Sequence, residues 1–339
     1  MSEESINSFA ASDGSPESTR AELAELIERL RHASEHLPAA RTGHHDLKLL
    51  SRAIRELRRA FAVFEPYRQQ RKVTIFGSAR TPRDAPAYQQ AEVLGRRMVE
   101  QGWFVVTGAS TGIMEAGHRG AGRDHSMGLN IMLPFEQESN EIIRGDPKLV
   151  TMKYFFTRKL MFVKECDAVV CLPGGFGTLD EAFEVLTLMQ TGKCELMPLV
   201  LLDAPGGTYW RDWLAFVRKN LLDGGMISPD DLSLLSITDN VDETVAHITQ
   251  FYRVFHSMQY LPNRLMFRLR SAPSDQQLAT MNREFADFLA GGEFELLDSP
   301  LGEATDPEHA ALTRLAFHFN RRNHGRLRKL VDWINAEVR

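Results

Sequence analysis

Apolar residues in the central part of the chain alternate between two patterns. Short, largely apolar runs at 73–76, 103–106, 128–132, 149–152, 168–172 and 199–202 read as strands, 168–172 as a buried parallel one. Between and after them the apolar spacing is helical: 88–100, 113–123, a helix carrying Arg158, then 178–190, 210–222 and 241–255. Such alternation implies right-handed crossovers and an α/β fold, a doubly wound parallel sheet covered by helices on both faces. Ligands of these sheets sit beyond the carboxyl ends of the strands.

The two ends of the chain read differently. From 19 to 36, Leu23, Leu26, Ile27 and Leu30 share one helix face; from 46 to 64, Leu50, Ile54, Leu57 and Phe61 do the same, and Pro66 ends the run. These helices can pack on the core or on another subunit. Residues 1–17, rich in Ser, Glu and Gly, are expected to be disordered. After Pro262 the chain is basic at 264–270, helical at 275–289, strand-like at 293–297 and helical again at 312–338. Arg321, Arg322, Arg326, Arg328 and Lys329 in that last stretch fit a solvated face or a subunit contact better than a nucleic-acid site. No internal repeat is visible. The expected division is therefore a disordered tail over 1–17, a helical extension over 18–70, the sheet domain with the active site over 71–258, and a mixed extension over 259–339 in which helix outweighs strand.

Composition narrows the function. The 339 residues carry a net charge of −5, which argues against a general nucleic-acid binder but leaves room for a local site for one phosphate. No apolar run approaches the ~20 residues a membrane helix needs, and the first residues are too polar for a signal peptide. Cys166, Cys171 and Cys194 lack Cys-x-x-Cys spacing, so reduced thiols and a cytoplasmic location are expected, with no membrane partner.

The strongest chemical signal is Pro173-Gly174-Gly175-Phe176-Gly177-Thr178-Leu179-Asp180-Glu181, between the apolar run 168–172 and a helix. Strand, glycine turn and helix together aim backbone N–H groups and the positive end of a helix dipole at a phosphate. Gly174, Gly175 and Gly177 admit close approach, and Thr178 adds a hydroxyl. Thr178-x-x-Glu181 also satisfies a capping box, which needs only a helix start. Other patterns carry less. His32-x-x-Glu35-His36 imitates a zinc motif on a peripheral helix with no third ligand, so no metal is expected. The turn 107–113 imitates the Thr-Gly-x-x-x-Gly-Ile turn of short-chain dehydrogenases. It follows the second strand rather than the first, and Arg158 stands where the catalytic lysine of Tyr-x-x-x-Lys would be.

The nonapeptide resembles the PGGxGTxxE motif of the Lonely Guy (LOG) family, formerly labelled lysine decarboxylase-like, and Arg158-Lys159-Leu160-Met161 resembles its Arg-Lys-x-x-Met companion. Similarity extends from about Val73 to Tyr252 through Gly77-Ser78, Gly112–Ala116 and Gln190–Lys193, closest to the longer bacterial members. The resemblance implies a Rossmann-like fold, no cofactor, a homodimer or higher homo-oligomer, and hydrolysis of a nucleoside 5′-monophosphate to free base and ribose 5-phosphate. It also assigns roles: Glu181 as the carboxylate at the anomeric carbon, Arg158 as its electrostatic partner, and Gly77, Ser78, Gly108, Glu136, Lys159, Asp180 and Thr187 as substrate contacts. Position 180 is Asp where many relatives have Glu, and Thr107-Gly108-Ala109 replaces a Gly-Gly-Gly run. A non-catalytic nucleotide or phosphorylated-cofactor carrier on the same fold is the alternative; retention of Arg158 and Glu181 favours the enzyme.

Overall fold

The structure, a computed structural model, describes residues 16–37, 42–133, 138–297 and 307–339. Two compact units divide it: Arg55–Phe251 with Arg321–Lys329, and Met1–Ile54 with Tyr252–Asn320 and Leu330–Arg339. Two helices come first, α1 (Pro16–His36) and α2 (His44–Phe64). Most of the tail expected to be disordered lies outside the described residues; Pro16 and Glu17 are already helical.

The larger unit runs β1 (Lys72–Phe76), α3 (Pro86–Glu100), β2 (Phe104–Thr107), α4 (Ile113–Ala121), β3 (Ser126–Ile131), β4 (Leu149–Met152), α5 (Phe155–Glu165) and β5 (Ala168–Cys171). It continues through α6 (Phe176–Gln190), β6 (Leu199–Leu202), α7 (Tyr209–Val217), β7 (Ser236–Thr238) and α8 (Val241–Phe251). The strands form one sheet, ordered β4-β3-β2-β1-β5-β6-β7, with every neighbouring pair parallel. β1, β5 and β6 are buried at every position, which is why β5 and β6 are unbroken apolar runs and β1 is apolar but for Lys72 and Thr74. From β1 the chain winds outward to β4; α5 then carries it back to β5, and it winds out the other way. With right-handed crossovers, α3 and α4 cover one face and α5, α6 and α7 the other. The winding direction reverses between β1 and β5, so a crevice opens where those strands end.

Local chemistry fixes the loops there. Phe76 lies beside Cys171, and Leu172 N–H donates to Phe76 C=O (2.8 Å), so the exits of β1 and β5 leave the sheet together. On α2, Glu56, Ala60 and Phe64 form a buried inner face. The Glu56 carboxylate accepts from Lys153 N–H and Thr157 Oγ1 (both 2.9 Å), tying α2 to the turn that starts α5. Behind β2, His118 is buried, and desolvation lowers its pKa to about 4. The neutral ring therefore donates from Nε2 to Met127 C=O (2.9 Å) and accepts at Nδ1 from Asn140 Nδ2 (3.2 Å).

The smaller unit holds more strand than expected. After β8 (Phe255–Tyr260) come β9 (Leu265–Leu269), α9 (Asp275–Glu284), β10 (Leu289–Leu297), α10 (Pro307–Ala310), β11 (Thr313–Phe319) and α11 (His324–Glu337), which belongs to this unit from Leu330 onward. Four of these form an antiparallel sheet ordered β10-β11-β9-β8, so the extension is mixed, as expected, but with strands beyond the single one expected at 293–297. Two misread segments account for this: 241–255 ends as a helix at Phe251, and 312–338 holds a strand before its helix. β9 is buried at every position and β11 nearly so, Arg268 and Arg314 included, which removes the alternation that marks a half-exposed strand. The order strand, strand, helix of β8, β9 and α9 recurs in β10, β11 and α11, with the short α10 between the second two strands. Arg264-Leu265-x-Phe267-x-Leu269 is echoed by Arg314-Leu315-x-Phe317-x-Phe319, a repeat too short and too unevenly connected to stand out in the sequence. Phe267 stacks edge-on with Phe317 (5.2 Å) and with Phe255 (5.0 Å) at its core.

The basic cluster near the C-terminus is not simply a solvated face. Arg328 is buried over the Phe251 ring (4.8 Å) against His247, and Lys329 pairs with Asp230. No described helix is long and apolar enough to cross a membrane.

Candidate active site

Three loops meet at the carboxyl ends of β1, β2 and β5. Ser78 N–H donates to Pro173 C=O (3.2 Å), and Ser78 C=O accepts from Ile113 N–H (3.1 Å), locking the first loop to the other two. Gly77 packs against Ile113; a Cβ there would lie 2.6 Å from its side chain. Gly174 is required by Thr178, whose Oγ1 would be 2.1 Å from a Cβ, and Tyr209 Oη anchors its carbonyl at 2.6 Å. Around Gly175 and Gly177 there is open space, so the start of α6 presents its backbone to the crevice. Thr178 is buried just behind.

Arg158 occupies the first turn of α5. Its Nε donates to Leu129 C=O (2.7 Å), its guanidinium lies over the Phe162 ring (5.0 Å), and a Cβ at Gly108 would come within 2.2 Å of Nη2. Gly108 is thus the residue that gives the guanidinium room. Its neighbour Ala109 adopts a left-handed φ of 58°, held by Thr107 Oγ1, which accepts from Ala109 N–H (3.0 Å), and by Asn140 N–H, which donates to Ala109 C=O (2.8 Å). These bonds define the backbone path where Thr107-Gly108-Ala109 replaces three glycines.

Glu181 stands one turn into α6, only 7% exposed, and no hydrogen bond from the described residues reaches its carboxylate. Burial raises its pKa to about 7, against the opposing pull of Lys159 and then Arg158. Burial likewise lowers Arg158 to about 10, and Glu181 is the charge that supports it. Arg158 therefore stays cationic at neutral pH while Glu181 is poised between its two forms. A buried carboxylate with no hydrogen bond among the described residues, beside a half-buried cation, is costly to hold, and such pairs mark functional sites.

The other assigned contacts divide. Lys159 is clamped by Asp180 (2.8 Å) and Glu184 (2.6 Å); burial works against its charge, but those hydrogen bonds hold its pKa above the ordinary value. Lys159 and Asp180 thus already satisfy one another beside Glu181. Thr187 is exposed and about 9 Å farther along the helix axis than Glu181, apart from the rest. Glu136 lies outside the described residues. Arg80 escaped the sequence reading: its N–H donates to Ser78 Oγ (3.1 Å), its side chain is exposed, and no described group engages its guanidinium. Its one sequence signal was its place just after Gly77-Ser78 at the exit of β1.

Known proteins match this part of the chain. A family profile described as "Possible lysine decarboxylase" matches residues 107–248. A cytokinin riboside 5′-monophosphate phosphoribohydrolase of Arabidopsis thaliana is 34% identical over 174 residues, 49% of this chain and 76% of that protein. One of Mycobacterium tuberculosis is 28% identical, over 49% of this chain and 88% of its own length. Among solved structures, the molybdenum cofactor binding protein of Rippkaea orientalis is 18% identical with a TM-score of 0.38, covering 53% of this chain and 96% of that one. An α/β protein with a glycine-loop crevice at its strand reversal is the class that fold and site define. Within that class the chain belongs to the LOG family, the "Possible lysine decarboxylase" group.

Proposed function

We propose that the protein hydrolyses the N-glycosidic bond of a nucleoside 5′-monophosphate, AMP or a related purine nucleotide with N6-modified ones included, giving free base and ribose 5-phosphate. The observation that carries this reading is the buried Glu181 carboxylate coupled to the half-buried Arg158 guanidinium beside an open glycine turn. The amides at the start of α6, with Ser78 and Arg80, receive the phosphate. Ionised Glu181 stabilises positive charge at C1′ and takes a proton from the attacking water as the C1′–N bond breaks. Arg158, always charged at working pH, offsets the negative charge that develops on the departing base, which takes up the proton that Glu181 received from the water. The names of the related phosphoribohydrolases support this chemistry. The reading extends to a cytoplasmic homo-oligomer without nucleic-acid or membrane partners.

Assay of free base from AMP and from adenosine tests it. AMP should react far faster, and Arg80→Ala should raise KM for AMP about tenfold while leaving adenosine unaffected, the order expected for one charge-assisted phosphate contact. Tight AMP binding with no base released would instead mark a carrier.

A further inference from the structure

Helix α1 has no support within the described chain. Every side chain from Leu23 to His36 is exposed, and Leu23, Leu26, Ile27 and Leu30 are 54–68% exposed. Their spacing makes one continuous apolar seam. A free helix of about this length is marginal in water, because helices in proteins draw most of their stability from burying such a face.

A second uncovered seam runs along α2. Leu47, Leu50, Ile54, Leu57 and Phe61 follow each other by alternate steps of three and four residues, the spacing of a coiled-coil contact line. Leu57 is half-buried and the other four are exposed, Ile54 by 61%. The opposite side of α2 is already in use, with Glu56, Ala60 and Phe64 buried.

The two helices also differ in charge. α1 has five acidic residues against three arginines, whereas α2 has five basic residues against two acidic ones, of which Glu56 is buried. Pairing α2 with α2 would bring like charges together, and pairing either helix with its own copy would leave the other seam open. Pairing α1 with α2 matches both seam and charge, yet in the single chain both seams remain exposed.

We propose that α1 of one copy lies on the outward seam of α2 in a second copy, and reciprocally, so that exchanged N-terminal arms hold a two-fold dimer. This deepens the homo-oligomer part of the proposed reading, on which it rests, by naming the surface. A single reciprocal exchange covers all four seams.

Complementation between two full-length variants tests it. One carries Leu26→Glu with Ile27→Glu on α1; the other carries Ile54→Glu on α2. All three positions are exposed, and the thermal melt of each variant checks that the rest of the fold is retained. Sedimentation velocity should show a wild-type dimer, with each variant alone dissociating at least about 100-fold more readily. Mixed one to one, the variants should regain dimer, because the intact α1 of one meets the intact α2 of the other. A dimer that survives the α1 substitutions overturns the arm exchange and leaves the homo-oligomer standing. A mixture no more dimeric than either variant overturns it too, and means packing within one chain or like with like. A monomeric wild type overturns both.

Discussion

At the scale of the residue, Glu181 sets function against stability. Its pKa rises from 4.5 to about 7 in the folded state because of burial. Between those values the folded protein holds a proton that the unfolded chain has released, so stability falls as pH rises through that window. Glu181→Gln should therefore be more stable than wild type at pH 8, by up to about 3 kcal/mol, and equal to it near pH 4.5. Turnover should fall by about two powers of ten or more. Denaturant melts at both pH values alongside AMP turnover check both arms, and unchanged turnover would remove Glu181 from the chemistry. For wild type, kcat/KM should climb with pH to a plateau above about pH 7, since the ionised carboxylate is the working form, and this acid limb should vanish in the variant. Gly108→Ala should push aside an Arg158 guanidinium fixed by Leu129 and Phe162, lowering kcat roughly 10- to 100-fold with little change in melting temperature. A variant with normal kcat would mean that the position of Arg158 is unimportant.

At the scale of the element, legibility followed burial. β1, β5 and β6, buried on both faces, were plain as apolar runs, and the 173–181 loop was plain because glycines, threonine and glutamate stood between strand and helix. β7 has three half-buried residues and gave no such signal. The link from Glu56 to Lys153 and Thr157 spans about a hundred positions, and no local pattern announces it. Arg80 was passed over because an exposed arginine in a loop has no periodicity; only the loop's place in the fold gives it meaning. The Glu56 link makes its own prediction. Glu56→Ala leaves Lys153 N–H without its acceptor and should cost about 1–3 kcal/mol. Because Arg158 directly follows Thr157, kcat should drop with it, measured well below the new melting temperature. Loss of stability with kcat intact would show that the turn holds without its tether.

At the scale of the whole molecule, the α/β class and a mixed C-terminal end were legible, but the antiparallel sheet at that end was not. The reversal between β1 and β5 emerges only when all seven strands are ordered, and the paired strand–strand–helix units emerge only in three dimensions. The Arabidopsis and Mycobacterium relatives each align with about half the chain. One element outside the central strands, α2, nonetheless reaches the catalytic neighbourhood. Its inner side steadies the turn beneath Arg158, and its outer side is the seam assigned to a second copy's arm. An enzyme wired in this way would sense its own abundance. Diluted below the dissociation constant of the pair, each molecule should lose turnover out of proportion to concentration, so that specific activity rises in a crowded cell and fades in a sparse one. A dilution series with AMP, read as rate per mole of chain, tests this. A flat line across the range where the dimer dissociates would mean that the two sides of α2 work independently.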